Sequence, residues 1–121
     1  MRLWLALGGL NGFLSVAFGA YAAHGLPPET AGLADTGSRY QMIHALALVA
    51  VDLLEQKRPD RLLTLAGLFF TAGTIFFCLS LYAKAIFGLG ATPAPLGGSS
   101  FMLGWAALFL YALRTPKSSK S

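Results

Sequence analysis

Charge is what this sequence has least of. Only 12% of its 121 residues are Asp, Glu, Lys or Arg, against roughly 25% in an ordinary soluble domain. A water-soluble fold with so little charge would expose wide apolar patches, so the expected solvent is a bilayer. Cysteine is nearly absent as well. The single one, Cys78, lies in an apolar run, which excludes a disulfide framework and a cysteine-based zinc site. Acidic residues number five against nine basic ones, a net charge of +4. Nucleic acid is still not an expected partner, because the bases sit in short loops and at the ends and form no basic helix face with stacking aromatics. There is no nucleophile elbow, no H-E-x-x-H and no phosphate loop. No enzyme activity, metal or cofactor is therefore expected.

What is abundant is apolar sequence, 55% of the chain. A membrane-crossing helix needs about 20 mainly apolar residues, with a range of about 17–25. Four stretches qualify, at about 3–23, 39–55, 62–83 and 97–113. Proline punctuates the intervals at 27, 28, 59, 93, 95 and 116, where its missing N–H and its ring end a helix. Each span must be helical, because a lone strand cannot satisfy its backbone in lipid. The expected fold is thus all-α, an antiparallel four-helix bundle in the membrane. It forms one domain over 1–121, with 114–121 as a basic polar tail. Ser38 and Gln41 form an S-x-x-Q capping box, expected to start the second helix. The preceding PPETAGLADTG, flanked by Glu29 and Asp35, reads as a small interfacial helix or a solvated loop.

Lys and Arg set the orientation. With four spans, Arg2, Lys57, Arg58, Arg61, Arg114, Lys117 and Lys120 share one side, and only Arg39 and Lys84 lie on the other. Both termini are expected to be cytoplasmic and the loops at about 24–38 and 84–96 to face out. Ala20-Tyr21-Ala22 after an apolar run also has the form of a signal-peptide cleavage site. The run is longer than a usual signal core, and cleavage would put the basic middle loop and basic tail on opposite sides. A retained span is expected.

Small residues recur at helical spacing. Gly8, Gly12, Ser15 and Gly19 form one stripe on the first span. Gly67, Thr71, Thr74 and Cys78 form another on the third, and Gly97, Ser100, Gly104, Ala107 and Tyr111 a third on the last. Such stripes let helices approach closely, and the chain's own helices are the expected neighbours. Among polar residues, Asp52 is expected to pair with Lys57, Arg58 and Arg61. His24, Arg39, Tyr40 and His44 are expected to converge near the outer leaflet boundary, His44 about 7.5 Å below it. Such a cluster suits a lipid or quinone headgroup, while two histidines alone are thin grounds for haem or metal. The alternative is a hydrogen-bonded histidine tying the first span to the second. Trp4, Trp105 and Tyr82 fit interfacial belts. Pro93–Gly98 reads as a rigid turn before the last helix.

Three blocks, GAYAAHGL at 19–26, RYQMIHALAL at 39–48 and PLGGSSFMLGW at 95–105, together with LSLY at 79–82, resemble the YgdD-like family. That family, domain of unknown function 423, is shared with the animal transmembrane protein 256. The resemblance runs from the first helix to the last and puts His24, Gly25, Arg39, Tyr40, Gln41, His44, Gly97, Gly98 and Trp105 on its motifs. Tyr21, Ala22 and Lys84 depart from the pattern. It implies a four-span, multi-pass protein of the inner membrane and supplies no reaction. An accessory or stabilising subunit of a larger membrane complex is the leading expectation. A small channel or carrier, or a quinone- or haem-linked subunit using His24 and His44, are the alternatives. The oligomeric state is left open.

Overall fold

The computed structural model describes residues 1–89 and 94–114, and all its regular structure is helical. Helix α1 is Leu3–His24, α2 is Pro28–Lys57, α3 is Arg61–Gly73, α4 is Leu79–Phe87 and α5 is Ala94–Arg114. A π-helical turn, Thr74–Cys78, joins α3 to α4 without a break, so the chain makes four antiparallel rods. Helix α1 packs on α2, α5 on α3 and the π turn, and α2 touches every segment of the third rod.

The second rod differs most from the expectation. It runs Pro28–Lys57, 30 residues, without a boundary at Ser38. Its start is set by Pro28 at the first helical position and Glu29 in the first turn, where a fixed φ and a negative charge suit the N-terminus. Ser38 is mid-helix, and its hydroxyl donates across to the carbonyl of Ser15 at 2.7 Å. The capping box and the interfacial loop are therefore absent. PETAGLADTG, from Pro28 on, supplies the first turns of α2, and only Gly25–Pro27 separate it from α1. Likewise Ala94–Gly98 belong to α5 rather than to a turn. Pro93 and the tail after Arg114, with Pro116, Lys117 and Lys120, lie outside the described residues.

Among the described residues, three rods are long and apolar enough to cross a membrane: Leu3–His24, Arg61–Phe87 and Ala94–Arg114. Helix α2 is not among them, because it carries Glu29, Asp35, Arg39, Asp52, Glu55 and Lys57. Three of its polar residues, Gln41, His44 and Asp52, are buried, while Glu29, Arg39 and Lys57 are exposed toward its two ends. The three apolar rods thus shield the buried polar groups of the fourth from lipid, where an unpaired polar group is costly.

Close approach occurs at particular glycines. A Cβ on Gly8 would lie 2.8 Å from Val49 Cγ2 and 3.0 Å from the carbonyl oxygen of Ala45. One on Gly67 would strike the Trp4 ring, one on Gly104 the Phe70 ring, and one on Gly97 the backbone of Phe77. Gly12 is roomier, with Ala45 Cβ 3.9 Å away. Gly88 closes α4 at φ 67°, a left-handed cap that glycine adopts without strain.

The end bearing Arg2 is latched by side chains. Asp60 caps α3 by accepting from the Leu62 N–H at 2.9 Å, and Arg114 lies 3.6 Å from its other oxygen. The Tyr111 hydroxyl donates to the Arg58 carbonyl at 3.0 Å. Above this latch Leu48, Val51, Leu63, Ala66 and Phe70 fill the interior and are fully buried.

Candidate functional site

The residues expected to cluster do not all meet. Ala45 faces Gly12 across the α1–α2 seam, so His44 stands level with about residue 13 of α1. His24 is eleven residues further along α1, about 16 Å away at 1.5 Å per residue. His24 and His44 therefore cannot share a haem, metal or headgroup. The reason is the long α2: His44 lies sixteen residues after Pro28, about 24 Å down the helix, near mid-height rather than near the surface. Arg39 also goes elsewhere. Its side chain is 76% exposed and pairs with Asp35 at 2.9 Å, one turn back on α2. It lines, with Ser15, Gly19 and Met42, a groove of about 570 Å³ between α1 and α2.

Tyr40 and His44 do come together, on the face turned to α5. The His44 ring stacks on Phe101 at 3.6 Å and 8°, and Trp105 meets it edge-on at 5.8 Å. Tyr40 packs on Phe77 at 4.7 Å. These rings border an open groove of about 500 Å³, which shares no lining residue with the Arg39 groove.

The hydrogen bonds of His44 define its chemistry. Nδ1 lies 2.7 Å from the Tyr40 carbonyl oxygen, which can only accept, so Nδ1 carries the proton. Nε2 lies 3.0 Å from the indole nitrogen of Trp105, which can only donate, so Nε2 presents its lone pair. That lone pair is the one a metal would need. Both nitrogens of His44 are used by the fold, and the histidine ties α2 to α5 rather than to α1.

A second polar chain crosses the other face of α2. Gln41 Nε2 donates to Asn11 Oδ1 at 2.9 Å, and the Tyr82 hydroxyl donates to Gln41 Oε1 at 2.7 Å. Asn11 Nδ2 donates back to the Leu7 carbonyl at 2.8 Å. One glutamine thereby joins α1, α2 and α4. Tyr82 also stacks on Phe18 at 4.0 Å and 14°. Tyr82 is buried, as is Trp4, and Trp105 lies eleven residues into α5, about 16 Å from its start. All three pack on the bundle's own glycines, rings and amides, and of the three Trp105 lies away from the interface at which it was expected.

The third polar element is an ion pair. Asp52 bonds to the guanidinium of Arg2, not to Lys57, Arg58 or Arg61. An aspartate on α2 whose carboxylate turns inward meets the start of α1, while Lys57 is exposed in the last turn of α2 and Arg58 and Arg61 lie past its end. Among the described residues, no group of three or more His, Cys, Asp or Glu side chains could hold a metal ion.

Fold and site define a class: an all-helical, multi-pass membrane protein whose buried Gln41, His44 and Asp52 are each bonded across helices. The comparisons agree. A family profile described as "Protein of unknown function (DUF423)" matches residues 18–98. The chain is 33% identical to the UPF0382 inner membrane protein YgdD of Escherichia coli K12, over 99% of this chain and 96% of that one. It is 34% identical to the UPF0382 membrane protein YwdK of Bacillus subtilis, over 94% and 98%. A UPF0382 membrane protein of Haemophilus influenzae is 39% identical over 87% and 89%. No solved structure matches. The chain belongs to the DUF423 family and is a multi-pass protein of the inner membrane.

Proposed function

We propose that this protein is a non-enzymatic accessory or stabilising subunit beside a larger membrane complex, with both termini cytoplasmic. The supporting observation is that the interior groups able to act as a base or nucleophile are already paired. Both nitrogens of His44 are engaged and Asp52 is paired, while Gln41 is bonded from two sides. Neither His44 nor Asp52 is left free to act as a base or nucleophile, as catalysis requires. A channel would need a polar path along the bundle, and the fully buried Leu48 and Val51 interrupt it between the Gln41–His44 level and Asp52. The orientation rests on the seven basic residues of one side against two on the other. The test is purification of the untagged protein from native membranes in mild detergent after brief cross-linking. A defined larger partner at constant stoichiometry is the expected result. A monodisperse protein recovered without a partner contradicts the reading.

The groove beside Tyr40 and His44 supports a second, narrower reading, in which a lipid or quinone headgroup lies on the Tyr40, Phe101 and Trp105 rings. His24 and Arg39 take no part in it. Saturable quenching of Trp105 fluorescence by a short-chain quinone, measured with Trp4→Phe as background, is its expected signature. Quenching that stays linear in quinone concentration contradicts it.

A further inference from the structure

An unpartnered polar atom lies inside the bundle. Among the described residues, the Thr71 hydroxyl is the buried side-chain oxygen or nitrogen that makes no hydrogen bond. It lines a cavity of about 200 Å³ between α1 and the third rod, together with Asn11, Gln41 and Thr74. Thr74 is already bonded to the Phe70 carbonyl at 3.0 Å. The amides of Asn11 and Gln41 each carry two N–H groups, and each has one bond as donor. One amide hydrogen on each, and the Thr71 hydroxyl, are thus left to donate. Three unused donors belong to side chains that line this cavity.

Its walls say where the acceptor comes from. Leu10, Ile75 and Leu79 on its rim are 54%, 50% and 45% exposed, and they lie on membrane-crossing rods, so the cavity opens sideways onto acyl chains. Tyr82, stacked on Phe18, lies toward one end of the bundle, and buried Leu48 and Val51 lie toward the other. A single water occupies ~30 Å³, which would leave most of this apolar volume empty. An acceptor attached to an apolar body fills both parts.

We propose that this cavity binds a membrane-dissolved carbonyl compound. Its C=O accepts from the Thr71 hydroxyl and the Asn11 and Gln41 amides, and its hydrocarbon lies against Leu10, Ile75 and Leu79. The site is distinct from the groove beside Tyr40 and His44 and does not depend on the accessory-subunit reading.

The probe is 10-nonadecanone, a symmetric ketone that dissolves in the acyl-chain region. The protein is reconstituted in vesicles of ether-linked phosphatidylcholine, which has no ester carbonyl, and the ketone stretch is read by infrared spectroscopy. The wild type should give a second carbonyl band at lower wavenumber, saturating at one ketone per protein. Thr71→Val, which keeps the shape and removes one of the three donors, should move that band part of the way back toward the free-ketone position while unfolding at the same denaturant concentration as wild type. Trp105→Phe should keep it. Absence of the shifted band in wild type overturns the proposal, as does an unchanged band position in Thr71→Val. An ordered water on Thr71 in solid-state NMR spectra that the ketone fails to displace overturns it too.

Discussion

Trp105 donates its indole N–H to the Nε2 lone pair of His44 across 3.0 Å, joining α5 to α2 near mid-bundle. The bond accounts for a histidine in the bundle's middle without any ligand. Removing the donor should therefore weaken the fold. Trp105→Phe leaves the lone pair unpartnered and should cost about 1 kcal/mol, since interhelical hydrogen bonds in membranes average roughly 0.6 kcal/mol and an orphaned group adds to that. Reversible unfolding in mixed micelles measures it. In the wild type, 15N spectra of the ring should show the proton on Nδ1.

Gln41 should matter more than either of its partners. Gln41→Leu strands the Tyr82 hydroxyl and the Asn11 oxygen together, so a loss of about 3 kcal/mol is expected. Tyr82→Phe deletes a donor and leaves only Gln41 Oε1 short, at about 1 kcal/mol. A double-mutant cycle between Gln41 and Tyr82 should give a clear coupling energy, and strict additivity would show the bond to be inconsequential.

The Arg2–Asp52 pair is lopsided. The Asp52 side chain is 2% exposed and that of Arg2 is 48% exposed. Arg2→Met leaves a buried carboxylate without its base and should cost roughly 3 kcal/mol. Asp52→Asn leaves a half-exposed arginine that turns to water and should cost about 1 kcal/mol. Equal losses in chemical unfolding would contradict the burial asymmetry.

Glycines should sort by what faces them. Gly8→Ala meets Val49 and the Ala45 carbonyl, and Gly97→Ala meets the backbone of Phe77, so each should destabilise by about 1–3 kcal/mol. Gly9 has nothing within 4 Å and Gly12 only Ala45 Cβ at 3.9 Å. Alanine at either should be neutral or slightly stabilising, because mid-helix glycine is unfavourable by roughly 0.5–1 kcal/mol relative to alanine. Melting temperatures of the four variants in one detergent make the comparison.

The helical membrane class was legible from scarce charge and apolar runs, because those are local properties. The polar pairings were not. Asn11 and Gln41 stand out as amides in apolar surroundings, and amides at that depth need partners. Which partner depends on the register between helices, and the sequence alone does not carry it. Asp52 shows the same gap: its neighbours in sequence are bases, but its neighbour in space is Arg2, fifty residues away. The start of α2 was misplaced because Ser38 and Gln41 imitate a cap. Pro28, which begins the helix, reads as a breaker unless its place at the first helical position is recognised. His44 was drawn toward the surface by that same error, since its depth was counted from the wrong residue.

The account stands on α2 crossing the bilayer in spite of its charges, sheltered by three apolar rods. Substituted-cysteine labelling in sealed vesicles of both orientations tests this directly, with Cys78→Ala as background. Thr36 and Gln56 are exposed near opposite ends of α2, and Leu46 between them is 64% exposed toward lipid. A membrane-impermeant maleimide should reach a cysteine at 36 only from outside and one at 56 only from the cytoplasmic side, and should miss one at 46 from both. Labelling of 36 and 56 from the same side would mean that α2 does not cross.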